Sequence, residues 1–247
     1  MPQLVILSGP SCIGKSPLEK ALRRFYPEWG EKLERLVLFN DRAPRPGERD
    51  GVEYHFRSHK EVITLREQEG YIVIPVRDDM QALEIESIQQ IIDRGKIAFF
   101  EGNPYIVAAM RDSGLFERFE TVTIFLSPLA KAEIQFLRQP ERHVDLEKFV
   151  SQVMRKKQLR RKQKQMQILS QPDLADVETR CTAAYQEMLY AWRYEYVIPN
   201  HDGEDSEHWS DFYFPLGDAR KALDAFVSIL NGNPCGMVEK WEKNLLA

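Results

Sequence analysis

Gly9-Pro10-Ser11-Cys12-Ile13-Gly14-Lys15-Ser16 decides how this chain is read. The stretch matches G-x-x-x-x-G-K-[ST], a pattern with a mechanism behind it. Glycine lets the backbone curl until its N–H groups point at phosphate oxygens, and the helix that follows adds the positive end of its dipole. Gly9, Ser11, Cys12, Ile13, Gly14, Lys15 and Ser16 are therefore the candidate ATP-binding set. Lys15 would reach the β- and γ-phosphates, and the Ser16 hydroxyl would ligate Mg²⁺. The context agrees. Leu4–Leu7 is a short apolar run that reads as a buried strand, and Leu18, Ala21, Leu22 and Phe25 recur at helical spacing after Lys15. Pro17 falls in the first turn of that helix, where a missing N–H costs little.

Outward from the loop, apolar runs alternate with helical patterns. Strands are expected at Leu33–Phe39, Val52–Phe56, Tyr71–Val76, Lys96–Phe100, Thr121–Leu126 and Tyr194–Ile198. Helices are expected at His59–Glu69, Gln81–Arg94, Leu129–Leu137, Leu146–Ile168, Leu174–Trp192, Ala219–Leu230 and Met237–Leu246. This alternation implies an α/β P-loop three-layer fold with a mostly parallel sheet covered on both faces.

Composition sets the outer limits. Among 247 residues, 43% are hydrophobic and 29% charged, the profile of a soluble globular protein. A net charge of −4 does not suit a chain that coats nucleic acid or an anionic membrane, so such contact needs a local patch. No apolar stretch approaches the roughly 20 residues that span a bilayer, and the N-terminus lacks the basic n-region of a signal peptide. The three cysteines, Cys12, Cys181 and Cys235, are far apart, which suits reduced thiols. The expected location is cytoplasmic, with no membrane partner.

A second segment, Asp41-Arg42-Ala43-Pro44-Arg45-Pro46-Gly47-Glu48-Arg49-Asp50-Gly51-Val52-Glu53-Tyr54-His55-Phe56, sets two guanidinium forks beside Pro and Gly. Guanidinium matches phosphate bidentately, and a tyrosine hydroxyl adds a neutral donor. Together with the phosphate loop, this segment resembles the guanylate kinase family, whose loop reads G-P-S-G-x-G-K-S/T and whose second motif reads T-T-R-x-P-R-x-G-E-x-x-G-x-D-Y-x-F. Arg180-Cys181-Thr182-Ala183-Ala184-Tyr185-Gln186-Glu187 is similar to the family's R-L-x-x-A-x-x-E helix. Tyr194-Glu195-Tyr196-Val197-Ile198-Pro199-Asn200 is similar to its last strand. The resemblance implies an ATP-dependent phosphotransferase acting on a nucleoside monophosphate, with Arg42, Arg45 and Tyr54 on the acceptor phosphate. It further implies that Arg138, Arg142 and Arg180 neutralise charge at transfer beside Lys15, and that Glu101 and Asn103 lie at the acceptor. It divides a single domain into a core (1–39, 96–137 and 181–247), an acceptor-binding insert (40–95) and a lid (138–180).

The departures fall on the base-reading side. Cys12 replaces a loop glycine, Val73 stands at a glutamate position, Asp79-Met80-Gln81-Ala82-Leu83 lacks a tyrosine, and Glu101-Gly102-Asn103 replaces D-I-D. The lid carries an insertion in which Arg155, Lys156, Lys157, Arg160, Arg161, Lys162 and Lys164 occur without an acidic residue. This run reads either as a clamp for a highly charged acceptor, a nucleic-acid end included, or as a solvated helix face. A kinase for another metabolite and a non-catalytic interaction module are the remaining alternatives. His201-Asp202-Gly203-Glu204-Asp205 with His208 invites a metal reading, against that of a plain loop.

Overall fold

The computed structural model describes residues 2–45, 47–165 and 168–246. Pro46 of the acceptor motif, and Met166 and Gln167 of the expected lid helix, lie outside the described residues. The chain forms two compact units, Met1–Ile6 with Glu31–Val122 and Leu7–Gly30 with Thr123–Ala247.

β1 (Leu4–Ser8) is buried at every position, as a continuous apolar run in a parallel sheet should be. Each of its fully buried aliphatic side chains stabilises by about 1.5–3 kcal/mol relative to exposure. α1 (Lys15–Phe25) follows the phosphate loop and buries Leu18, Ala21 and Leu22, while Arg23 and Arg24 complement the dipole in its last turn. Then come α2 (Pro27–Lys32), β2 (Leu33–Arg35), β3 (Phe39–Asn40), β4 (His55–Phe56) and α3 (His59–Thr64). Ser58 and Glu61 close a capping box on α3. β5 (Tyr71–Val76) and β6 (Asp79–Glu84) form a hairpin whose turn holds Arg77 at φ 57°. α4 (Ile85–Asp93), β7 (Ile97–Gly102), α5 (Pro104–Asp112), α6 (Leu115–Arg118) and β8 (Thr121–Ser127) follow. The chain continues with α7 (Lys131–Leu137), α8 (Leu146–Gln165), α9 (Gln171–Met188), β9 (Tyr196–Pro199) and α10 (Gly217–Leu230).

A parallel five-stranded sheet has the order β2-β7-β1-β8-β9, and a smaller sheet the order β4-β3-β6-β5. The α/β P-loop expectation therefore holds. No helix among the described residues is long and apolar enough to cross a membrane.

Three local expectations are corrected. The run expected as one strand over 33–39 is split between the two sheets, because the Leu36 amide bonds Phe99 while the Leu38 carbonyl accepts from His55. Residues 81–84 are strand rather than the start of a helix, since β6 pairs residue by residue with β5 and tertiary pairing outweighs local periodicity. The 237–246 tail is not helical. It runs alongside β9 through a Val197–Glu239 bridge and buries Trp241.

Candidate functional site: a phosphate loop and an arginine cradle

The second unit builds the phosphate loop. Gly9 and Gly14 take φ of 140° and 104°, and a side chain at Gly9 would collide with the Leu126 carbonyl oxygen. Cys12 also lies in the left-handed region, at φ 69°. A non-glycine residue there costs about 1–2 kcal/mol. Its thiol is fully buried, and burial, with Glu204 adding, pushes it up to about 12, so it is an inert packing group.

Lys15 is buried, and its Nζ donates to the Gly9 and Pro10 carbonyls at 2.9 and 2.8 Å, across the loop it would serve. Ser16 is half-buried in the first turn of α1. The segment after β9 braces the loop through carbonyl oxygens. Asn200 Nδ2 donates to Ile13 O at 2.8 Å and the Glu204 amide donates to Cys12 O at 3.2 Å, while Trp209 Nε1 holds the segment itself by donating to Asp202 O and Gly203 O. Left-handed glycines, an inward lysine and a hydroxyl opening a helix fit a Mg-nucleoside triphosphate.

α9 carries Arg180 to this loop, where its Nη1 donates to Ser11 Oγ at 3.0 Å and Asp176 orients its Nε at 2.7 Å. Arg138 and Arg142 make other contacts. Arg138 donates to the Asn244 and Leu245 carbonyls at 3.1 and 2.6 Å, and the Arg142 guanidinium sits 4.0 Å from the Phe136 ring centroid.

Most of the basic run of α8 is matched by partners, while Lys156 is exposed. Arg155 pairs with Glu178, Arg161 with Glu204 at 2.5 Å, and Lys162 with Asp173 and Asp176. Lys157 donates to the His201 carbonyl, Arg160 lies 3.9 Å from Asp205, and Lys164 reaches Glu207 at 3.2 Å. These charges hold α8 to α9 and to the loop after β9. That loop's histidines are likewise engaged. His201 bridges Asp218 and Glu133, and His208 meets Asp202. Among the described residues, no group of three or more His, Cys, Asp or Glu is placed to hold a metal.

The first unit builds an arginine cradle. Glu48 takes two 2.7 Å bonds from Arg42, and its Oε2 also accepts the Arg45 amide at 2.8 Å. Burial raises the Glu48 carboxyl, but these bonds outweigh it and hold the group below the usual carboxylate range. The Arg42 guanidinium lies 5.3 Å from the Tyr54 ring centroid and 5.4 Å from that of Phe56. Burial pushes the Tyr54 phenol up, so it stays a protonated donor. Arg42, Arg35 and Arg45 pull that phenol down and Glu101 pushes it up, so these charges act on one hydroxyl.

Arg35, absent from the sequence reading, pairs with the nearly buried Glu101 at 3.0 Å. Nothing local marks it. Only the parallel register of β2 on β7, with Arg35 opposite Phe99, brings it near Glu101. Asn103 caps α5, accepting from the Tyr105 and Ile106 amides, while its Nδ2 faces Gln81 Oε1 at 3.4 Å. Sheet register puts Val73 and its neighbour Ile74 on opposite faces. Val73 pairs with Ala82 on the face of Phe39, whereas Ile74 pairs with Gln81 on the face of Asn40 and Phe56.

A family model described as guanylate kinase matches residues 1–169. The guanylate kinase of Chlamydia muridarum is 26% identical over 190 residues, covering 75% of this chain and 84% of the relative. That of Campylobacter jejuni (strain RM1221) is 30% identical over 99 residues, covering 40% of this chain and 47% of the relative. The chain thus spans about half the length of that relative. The crystal structure of guanylate kinase from Anaplasma phagocytophilum shares the fold, with a TM-score of 0.54, 16% identity, and coverage of 94% of this chain and 85% of that one.

Proposed function

Since this chain belongs to the guanylate kinase family, we propose that it transfers the γ-phosphoryl group of ATP to a nucleoside monophosphate. The observation that carries the reading is Arg180, which α9 delivers to Ser11 of the phosphate loop. A guanidinium held there is positioned to offset negative charge on a transferring phosphoryl group, the main catalytic demand in this chemistry.

The remaining roles belong to the same reading. Lys15 and the loop amides would hold ATP, and Ser16 would hold Mg²⁺, which neutralises the β- and γ-oxygens when bound. Arg42, Arg45 and Tyr54 would hold the acceptor phosphate, with Glu48 fixing the fork of Arg42. An oxygen of the acceptor phosphate bonds to the γ-phosphorus while the bond from γ-phosphorus to the β-bridging oxygen breaks, leaving ADP. The attacking oxygen is already an anion, so no general base is required. Glu101 and Asn103 belong to the acceptor cluster, and Arg138 and Arg142 are assigned to charge neutralisation as lid residues. The corresponding organisation is one domain with core, acceptor insert and lid, and the expected location is cytoplasmic.

The test is ADP release from Mg-ATP over a panel of nucleoside monophosphates. Turnover with at least one acceptor is expected, abolished by Lys15→Ala and reduced in kcat about 10²-fold or more by Arg180→Ala. ATP binding with no turnover on any monophosphate would overturn the reading.

A further inference from the structure

We propose, resting on the acceptor reading above, that this site does not read the 2-amino group of guanine, and that Ile74 and Gln81 are the positions that remove that readout. The argument starts from the sheet. Asn40 pairs with Phe56 on one side and with Gln81 on the other, and Gln81 pairs with Ile74, so these four side chains share a face. That face is the acceptor face. Arg42 lies over Phe56, its amide donates to Asn40 Oδ1 at 3.0 Å, and Asn103 Nδ2 faces Gln81 Oε1.

Guanine presents two adjacent donors, N1–H and the 2-amino group, and discrimination requires acceptors aimed at both. The carboxylates of this cluster are each turned to an arginine. Glu48 takes two bonds from Arg42, Glu101 pairs with Arg35, and Asp79 lies 4.0 Å from Arg42 Nε. Ile74 accepts nothing, and Gln81 offers one neutral oxygen that already faces Asn103.

The face instead supplies a donor. Asn40 is fully buried, and its Nδ2 has no hydrogen-bond partner among the described residues. Such a group is completed by an acceptor atom. An oxo group of the kind common to guanine and hypoxanthine meets that requirement. The 2-amino group does not. The acceptor class is therefore an oxo-bearing nucleotide for which the amine contributes no affinity.

GMP and IMP differ only in that amine, and calorimetric titration of each onto the full chain reads the proposal directly. Both are expected to bind, with dissociation constants within fivefold of each other. GMP binding fivefold tighter or more, or neither nucleotide binding a protein that still binds ATP, would overturn it. Ile74→Glu, which adds a carboxylate to the face, should then favour GMP over IMP at least tenfold with ATP affinity unchanged. An unchanged ratio in a variant that still binds ATP would also overturn it. Should Ile74→Glu fail to fold, Gln81→Glu introduces the carboxylate from the facing strand, with the same two outcomes. Binding of both nucleotides without turnover would sink the kinase reading and leave this one standing.

Discussion

Cys12 shows what one residue can cost. It holds a left-handed conformation at a loop position where glycine is strain-free, and it is packed without exposure. Cys12→Gly removes the strain but also a buried side chain and some chain stiffness. The net change in stability should stay within about 1 kcal/mol, with ATP affinity unchanged; a denaturant midpoint and an ATP titration check both. His201 makes the residue-scale prediction for pH. Burial lowers its imidazole, but the hydrogen bonds it donates to Asp218 and Glu133 outweigh burial and raise it above the ordinary value. A raised value means the folded state binds the proton more tightly than the unfolded chain does. The stabilisation is therefore complete below the unfolded pKa, about 6.5, and lost as pH rises through the higher folded value. Because the ring is half-exposed, solvent screening keeps this contribution under about 1 kcal/mol. The difference in melting temperature between the native chain and His201→Gln should shrink as pH is raised from below that value into the alkaline range. A difference that grew with pH would refute the assignment.

At the scale of elements, α8 is a charged helix whose charges face partners. The sequence presents seven cations and no acid over Ser151–Ser170, and a free helix of that kind would attract polyanions. In the fold the acids arrive from α9 and from the loop after β9. Arg161 and Glu204 are both largely buried, and the Glu204 amide also holds Cys12 O. Arg161→Ala strands a buried carboxylate and should cost about 2–3 kcal/mol, and it should weaken ATP several-fold by loosening the brace on the loop. Chemical denaturation and ATP titration measure the two effects. With its cations so engaged, the helix should show little salt-dependent binding to a single-stranded oligonucleotide. A steep loss of binding between 50 and 200 mM salt would return the nucleic-acid reading to the front.

At the scale of the whole molecule, the tail does more than its short apolar pattern suggests. Glu239 bridges Val197 and accepts from the Lys131 amide, Tyr185 donates to the Leu246 carbonyl, and Trp241 is almost fully buried. Truncating such an indole leaves a large cavity. Trp241→Ala should cost about 3–5 kcal/mol, enough to lower the thermal midpoint of the second unit visibly in calorimetry. A change under about 1 kcal/mol would mean that the tail is not docked.

The sequence alone determined the phosphate loop, the α/β class, the arginine-rich segment 41–56 and the order of most elements. Each of these rests on neighbours within a few residues: glycine torsions, helical spacing and continuous apolar runs. What crosses the chain was decided by tertiary structure. Arg35 meets Glu101 only because β2 lies on β7. Ile74 shares a face with Asn40 and Phe56 while Val73 does not, because a strand turns successive side chains to opposite faces, and only the pairing partner says which face is which. Arg155, Arg161 and Lys162 of α8 became structural for the same reason, since their acids lie 11 to 43 positions away, a separation that no local pattern records.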